Sequence, residues 1–450
     1  MPTSAISPVV TYLREHREDI ADIALTLVGY DTQNPPGDVR DVVAWVESFV
    51  SDLGIETERV VSDSTKPNLV FSLPGDSDRT LLFQGHLDTV PFDANEWTFD
   101  PLGERDGDRI YGRGATDMKG AIASMLAVVT AYTETNTVPA ANLVFAFVSD
   151  EEIAGDAGLP ALLDQHTLSA DGCVIGETTC ENGRHSVTVA DKGSIWVTLR
   201  ATGTSAHGSR PMLGENAIHR LFDAVDHVET ELGAIRFAFN PVVQAIVDES
   251  VEYYRPLFGA DTSLELFDRP SVNLGVVAGG DRVNVVPDVA EAKFDIRLTA
   301  GVDTHRVLET IRDVVDAHDG VEIRDVSWST GTYEDPDGPL ANAVASVASE
   351  VTGTRVYRRS ATGGGDAKRL RNTGIPTVEF GLGTDTVHAV DEFTTTDALV
   401  DNAEVYARLP SELVSQLDAG NSTFESTDVG ILSTIIPQKT HHSEMHDDSR

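Results

Sequence analysis

Short apolar runs set between helical stretches constrain this chain more than any other feature of its sequence. Leu81-Leu82-Phe83-Gln84, Leu143 to Val148, Gly172 to Ile175 and Pro376 to Phe380 are of strand length and nearly free of charge. Helical patterns lie between and before them, at Ser7 to about Val28, at about Val42 to Leu53 and at Gly120 to Ala131. In the first of these, Ile20, Ile23, Ala24, Leu27 and Val28 recur at core-facing spacing. Strands apolar on both faces and separated by helices belong to a mostly parallel sheet covered on both sides. The predicted fold class is therefore α/β. The length of 450 residues predicts two domains rather than one.

From about Thr188 the texture changes to alternation, in Ser194-Ile195-Trp196-Val197-Thr198-Leu199 and again in Glu291 to Arg297. A helix is expected near Asn216 to Leu232. This reads as a smaller α+β unit over 188–300, inserted between two parts of the first domain, 1–187 and 301–418. The polar remainder, 419–450, is expected to be disordered, and a terminal pair such as His441-His442 is more often incidental than metal-binding.

Composition narrows the partners. The net charge is −40, from 73 acidic and 33 basic residues, with only six lysines. The acids are dispersed along the whole chain. That pattern fits a surface adapted to high salt, where screening makes self-repulsion tolerable, better than a surface for a basic partner. Nucleic acid is excluded, because phosphate binding needs clustered Lys and Arg. No apolar run is long enough for a membrane span, and Met1 to Glu15 lacks the pattern of a signal peptide. Two cysteines, Cys173 and Cys180, suit a reducing cytoplasm.

The segments that can carry chemistry stand at or near the ends of predicted strands, where open α/β sheets place their sites. In Gly85-His86-Leu87-Asp88-Thr89-Val90-Pro91, His86 and Asp88 share one side of an extended chain. A ring nitrogen of His86 can bind a metal while Asp88 accepts the other N–H. Asp117, in Gly112-Arg113-Gly114-Ala115-Thr116-Asp117-Met118-Lys119-Gly120, could cap the following helix or bridge two cations. Glu151 and Glu152 follow the strand Leu143 to Val148; such a pair is either solvated charge or divides labour between metal ligand and general base. Glu177 closes another strand, and His388 lies in Val387-His388-Ala389-Val390-Asp391-Glu392. Collected, His86, Asp117, Glu152, Glu177 and His388 offer mixed nitrogen and oxygen ligands that suit zinc, with cobalt or manganese possible. A carboxylate shared between two ions about 3.5–4 Å apart leaves a bridging water acidic enough to react at neutral pH.

In this order and spacing the motifs resemble the co-catalytic metallopeptidase family of acetylornithine deacetylase, succinyl-diaminopimelate desuccinylase, aminoacylase and glutamate carboxypeptidase. The resemblance covers about residues 10 to 415. It implies a catalytic domain of the zinc-peptidase type with an inserted lid and dimerisation domain, and two zinc ions per subunit. His86 and Glu177 would hold one ion, Glu152 and His388 the other, with Asp117 between them. Asp88 would orient His86, and Glu151 would act as general base and then as acid to the leaving amine. It also implies a cis peptide at Asp117–Met118. His207, in Gly203 to Pro211, would serve the neighbouring subunit's active site by polarising the scissile carbonyl. Asn216, Asn273 and Arg297 resemble lid positions that meet a substrate carboxylate, and the loop Gly363-Gly364-Gly365-Asp366-Ala367 borders the substrate in the family.

Two departures bear on the substrate. Thr178 follows Glu177 where desuccinylases usually have Pro, and Gly365 stands where relatives often carry Thr or Ser. The implied activity is removal of the acyl group from an N-acyl amino acid, of the desuccinylase or acetylornithine deacetylase type. A dipeptidase or carboxypeptidase using the same metals is the alternative. A metal-binding scaffold without catalysis would be expected to have lost Glu151 or a ligand.

Overall fold

A computed structural model describes residues 7–424, apart from 167, 181 and 182. Eight of its strands form one mixed sheet: β1 (Thr57–Val60), β2 (Asn68–Leu73), β3 (Thr80–His86), β6 (Asn142–Val148), β7 (Gly172–Ile175), β8 (His185–Ala190), β13 (Val356–Ser360) and β14 (Thr377–Glu379). Their order is β1-β2-β6-β3-β7-β14-β8-β13, and the central run from β6 through β3 and β7 to β14 is parallel. Every residue of β3 after Thr80 is buried, which is why the sequence shows an apolar run there instead of alternation. The helix Lys119–Glu134 covers one face and is buried nearly all round, from Lys119 through Val129. Phe71 and Phe83 stack on Phe145 at 5.0 and 5.4 Å. Burying each such ring contributes about 1.5–3 kcal/mol.

A small sheet of β4 (Glu104–Asp106), β5 (Arg109–Tyr111) and β15 (Phe393–Thr395) pins the segment that leads into the helix Thr396–Phe424. The remaining strands, β9 (Gly193–Thr202), β10 (Ser271–Gly279), β11 (Val289–Leu298) and β12 (Val321–Ser329), form an antiparallel sheet ordered β10-β11-β9-β12. Along β9, Ile195, Val197, Leu199 and Ala201 point into a second core shared with the helices Ala217–Ala234 and Thr304–Asp316. Ser194 and Trp196 face the other way. The architecture is thus α/β with a mostly parallel central sheet and a separate antiparallel unit.

Four details differ from the sequence reading. The second sheet begins at Gly193 and takes in β12 and the helix before it, so its unit reaches to about residue 329 instead of 300. Within it, the helices Pro241–Phe258 and Ala260–Asp268 pack back on Tyr357 of β13, through Val243, Val247, Tyr253, Tyr254 and Phe267. Their apolar spacing cannot say which of two cores receives them. The N-terminal helical stretch is broken at His16 into Pro8–Glu15 and Arg17–Val28. The last helix runs to Phe424, past the expected limit at 418; His441 and His442 lie outside the described residues.

Candidate metal centre

The parallel strands deliver the candidate ligands to one end of the sheet. His86 ends β3, Glu152 follows β6, Glu177 follows β7, and Asp117 stands two residues before the helix Lys119–Glu134. His388 comes from the loop between β14 and β15 with φ of 60°. Two groups of donor atoms form, His86 with Asp117 and Glu177, and Asp117 with Glu152 and His388. Asp117 belongs to both. Its Oδ1 lies 3.1 Å from His86 Nε2, and its Oδ2 lies 3.0 Å from His388 Nε2. Glu177 Oε1 is 3.3 Å from the same nitrogen of His86, and Glu152 Oε2 is 3.2 Å from that of His388. Asp117 is not a helix cap, since the N-cap position is Met118 and no side chain caps that helix. The Asp117–Met118 peptide is cis, as the resemblance implies.

Electrostatics tests whether cations belong here. His388 is pushed up to about 10 by its hydrogen bonds to Asp117 and then Glu152. Burial pulls His86 down, but Asp117 and Glu177 together raise it well above the ordinary imidazole value. Even so the negative charge is in excess. Glu177 is pushed up to about 8 by burial, with Asp117 beside it, and burial also drives Glu151 well above the usual carboxylate range. Four carboxylates and two imidazoles facing one another are matched in charge by two divalent cations, and the mixed N and O donors suit zinc-like ions. The residues present fit such a pair.

Around the ligands the structure corrects one expectation. His86 Nδ1 is held by the main-chain carbonyl of Asp88 at 2.9 Å, while the nearest carboxylate oxygen of Asp88 stands 3.8 Å away. That carboxylate accepts instead from the backbone N–H groups of Glu151 and Glu152, both at 3.2 Å, and from Asn34 Nδ2 at 2.8 Å. Asp88 therefore sets the acidic pair, and its backbone sets the histidine. A side chain after a strand end is free to turn away from the ring two residues before it, which spacing alone does not reveal.

Other partners were not foreseen. Asn34 also donates to Asp150 at 2.9 Å, and Lys66 Nζ pairs with Asp150. Buried Glu392 accepts from the N–H groups of Thr116 and Asp117 at 3.0 and 3.1 Å and pairs with Arg113. Arg113 in turn donates to the carbonyl of His388 at 3.2 Å, so one ion pair ties the shared aspartate to the histidine loop. Arg113 and Glu392 both stand inside the motifs quoted above, and a buried ion pair between them was the signal to look for.

A cleft of about 760 Å³ opens above the cluster, between it and the second sheet. Asp117, Glu151, Glu152, Glu177 and His388 line it with Gly364, Gly365, Trp196 and Arg297. The sequence-predicted Asn216, Asn273 and His207 are not brought to it. Asn216 caps the helix Ala217–Ala234, accepting from Ile218 N and His219 N. His207 is exposed in a loop tied to Asn284 and Val285, with Nδ1 on Ser209 Oγ at 2.8 Å.

A sheet with this connectivity, carrying a shared-carboxylate donor set under a second domain, is built to hold two metal ions at one end of the sheet. The chain belongs to peptidase family M20/M25/M40, whose sequence profile matches residues 82–412. It is 30% identical over 372 residues to a succinyl-diaminopimelate desuccinylase of Rhodospirillum centenum, covering 80% of this chain and 89% of that one. Among solved structures it resembles the M20 family metallo-carboxypeptidase Sso-CP2 from Sulfolobus solfataricus, with TM-score 0.71 and 20% identity over 87% of this chain and 99% of that one. It also resembles human carnosine dipeptidase 1, with TM-score 0.70 and 18% identity over 92% and 100% of the two chains. Among the described residues no helix is long and apolar enough to cross a membrane.

Proposed function

We propose that this protein is a two-zinc deacylase that hydrolyses the amide of an N-acyl amino acid, of the succinyl-diaminopimelate desuccinylase type, with cobalt or manganese able to substitute. The single observation that carries the metal assignment is Asp117, whose two oxygens face two separate His–carboxylate groups. The choice of substrate is supported by the 30% identical relative, since the peptidases at 18–20% identity share the fold alone.

His86 and Glu177 would hold one ion, Glu152 and His388 the other, and Asp117 both. When bound, such a pair acidifies water and polarises the scissile carbonyl. Glu151, whose proton affinity burial raises, takes the proton of the attacking water on a carboxylate oxygen. It then returns that proton to the departing amine nitrogen, and the second proton of the water passes to the same nitrogen, directly or through solvent, leaving a carboxylate and a protonated amine. Asp88 fixes Glu151 through the Glu151 N–H.

The lid would also be the dimer interface. β10 is an edge strand with an unpaired side, and Val276 and Val277 on it are about half exposed. His207, exposed and on the same unit, would then act in the partner's cleft on the carbonyl oxygen. Two buried cysteines, Cys173 and Cys180, too few for a disulfide framework, suit a cytoplasmic location.

The test is Glu151→Gln. Turnover of N-succinyl-diaminopimelate should fall about 100- to 10,000-fold while two metal ions per chain are retained. Undiminished turnover in this variant overturns the assignment.

A further inference from the structure

Three cationic side chains line the cleft, on a chain that is short of them: Arg297, Lys368 and Arg369. Two are already matched. Arg297 gives its Nε and Nη2 to Asp295 at 2.7 and 3.0 Å, with its guanidinium 5.9 Å from the ring centre of Trp196. Lys368 Nζ donates to the carbonyl of Lys192 at 2.7 Å and to Ser329 Oγ at 3.2 Å, with Asp191 at 3.4 Å. Arg369 differs. Its Nη2 donates to the carbonyl of Ala154 at 3.2 Å, and the nearest carboxylate, Asp366, stands 3.9 Å from Nε, beyond hydrogen-bond range. Its side chain remains 35% exposed. Among the described residues, then, Arg369 is the cleft cation with no carboxylate in hydrogen-bond contact.

Position and charge give this a use. Arg297 belongs to the lid sheet, whereas Arg369 belongs to the helix Asp366–Asn372 and touches the loop that follows Glu151 and Glu152. The two guanidinium groups thus line the cleft from different elements, one on the lid sheet and one on the helix beside the acidic loop. The floor between them is crowded with acidic groups, which repel a second anion on the substrate unless a cation with free donors receives it. A planar guanidinium does this best for a carboxylate, through paired N–H donors.

We propose that Arg369 receives the terminal carboxylate of a dicarboxylic acyl group, and so makes this site select acyl chains that end in a carboxylate over uncharged chains of the same length. The amino-acid carboxylate is left to the lid wall. This rests on the reading of the cleft as a deacylase site. Because the contact is direct, it survives molar salt, where the Debye length is only about 3 Å.

The experiment measures kcat and KM for the parent, Arg369→Gln and Arg369→Lys. The substrates are the N-succinyl and N-succinamoyl derivatives of one amino acid, identical in shape but differing in the terminal charge. The parent should prefer the succinyl compound. In Arg369→Gln that preference should fall roughly tenfold to a hundredfold, chiefly through KM, and Lys should restore part of it. Loss of activity on both substrates in equal proportion, or an unchanged preference, overturns the proposal. A parent that hydrolyses neither compound overturns the deacylase reading itself, and this inference falls with it.

Discussion

Asp88 shows how one buried carboxylate can organise a site without touching a metal. Its oxygens are taken by Glu151 N, Glu152 N and Asn34 Nδ2, and the same asparagine reaches Asp150, which Lys66 neutralises. Replacing Lys66 by Met leaves Asp150 buried without its cation, and unfolding free energy should fall by about 3 kcal/mol. Denaturant titration checks this, and an unchanged midpoint contradicts it. At Gly365 an added Cβ would sit 3.0 Å from Glu151 Oε1, so the glycine leaves room for the proposed general base. Gly365→Ser should lower kcat by about tenfold without loss of metal, as a small misplacement of a catalytic group does. Of the five candidate ligands, His86, Glu152 and Glu177 were legible because they end or follow buried strands and Asp117 because it stands before a helix, whereas His388, in a loop, was legible only through the resemblance. The links that hold them, Glu151 N to Asp88 and Asp117 N to Glu392, span 63 and 275 positions and leave no periodic trace.

Among the elements, the strands were easier to read than their membership. β3, β6 and β7 are buried on both faces, and their apolar runs announce a parallel core. β12 was missed because its own pattern is largely exposed, with Glu322, Asp325 and Ser327 outward; only its pairing with β9 assigns it to the lid. The helix Pro241–Phe258 keeps Pro256 near its end and turns toward β13, which no spacing rule specifies. The edge strand β10 carries the dimer proposal. Val277→Glu should convert a dimer to a monomer and reduce turnover, because His207 would no longer reach a partner's cleft. Light scattering in molar salt with parallel assays tests both, and a monomeric parent with full activity contradicts the arrangement.

Across the whole molecule, charge and site have to be considered together. A net charge of −40 destabilises the compact state by self-repulsion, and screening relieves it. Raising salt from about 0.1 M to about 2 M should raise Tm by about 5 °C or more, whereas a flat response contradicts salt adaptation. The same excess of acid is concentrated at the cluster, where burial lifts Glu177 to about 8 and holds Glu151 high. Two dications resolve that excess, and Asp117 is the group through which both would be held. The most direct test is therefore metal content per chain for the parent and for Asp117→Ala, both reconstituted with zinc and freed of excess. The account expects two ions in the parent and fewer than one in the variant, with hydrolysis lost. Two ions retained in Asp117→Ala, or none bound by the parent, contradicts it.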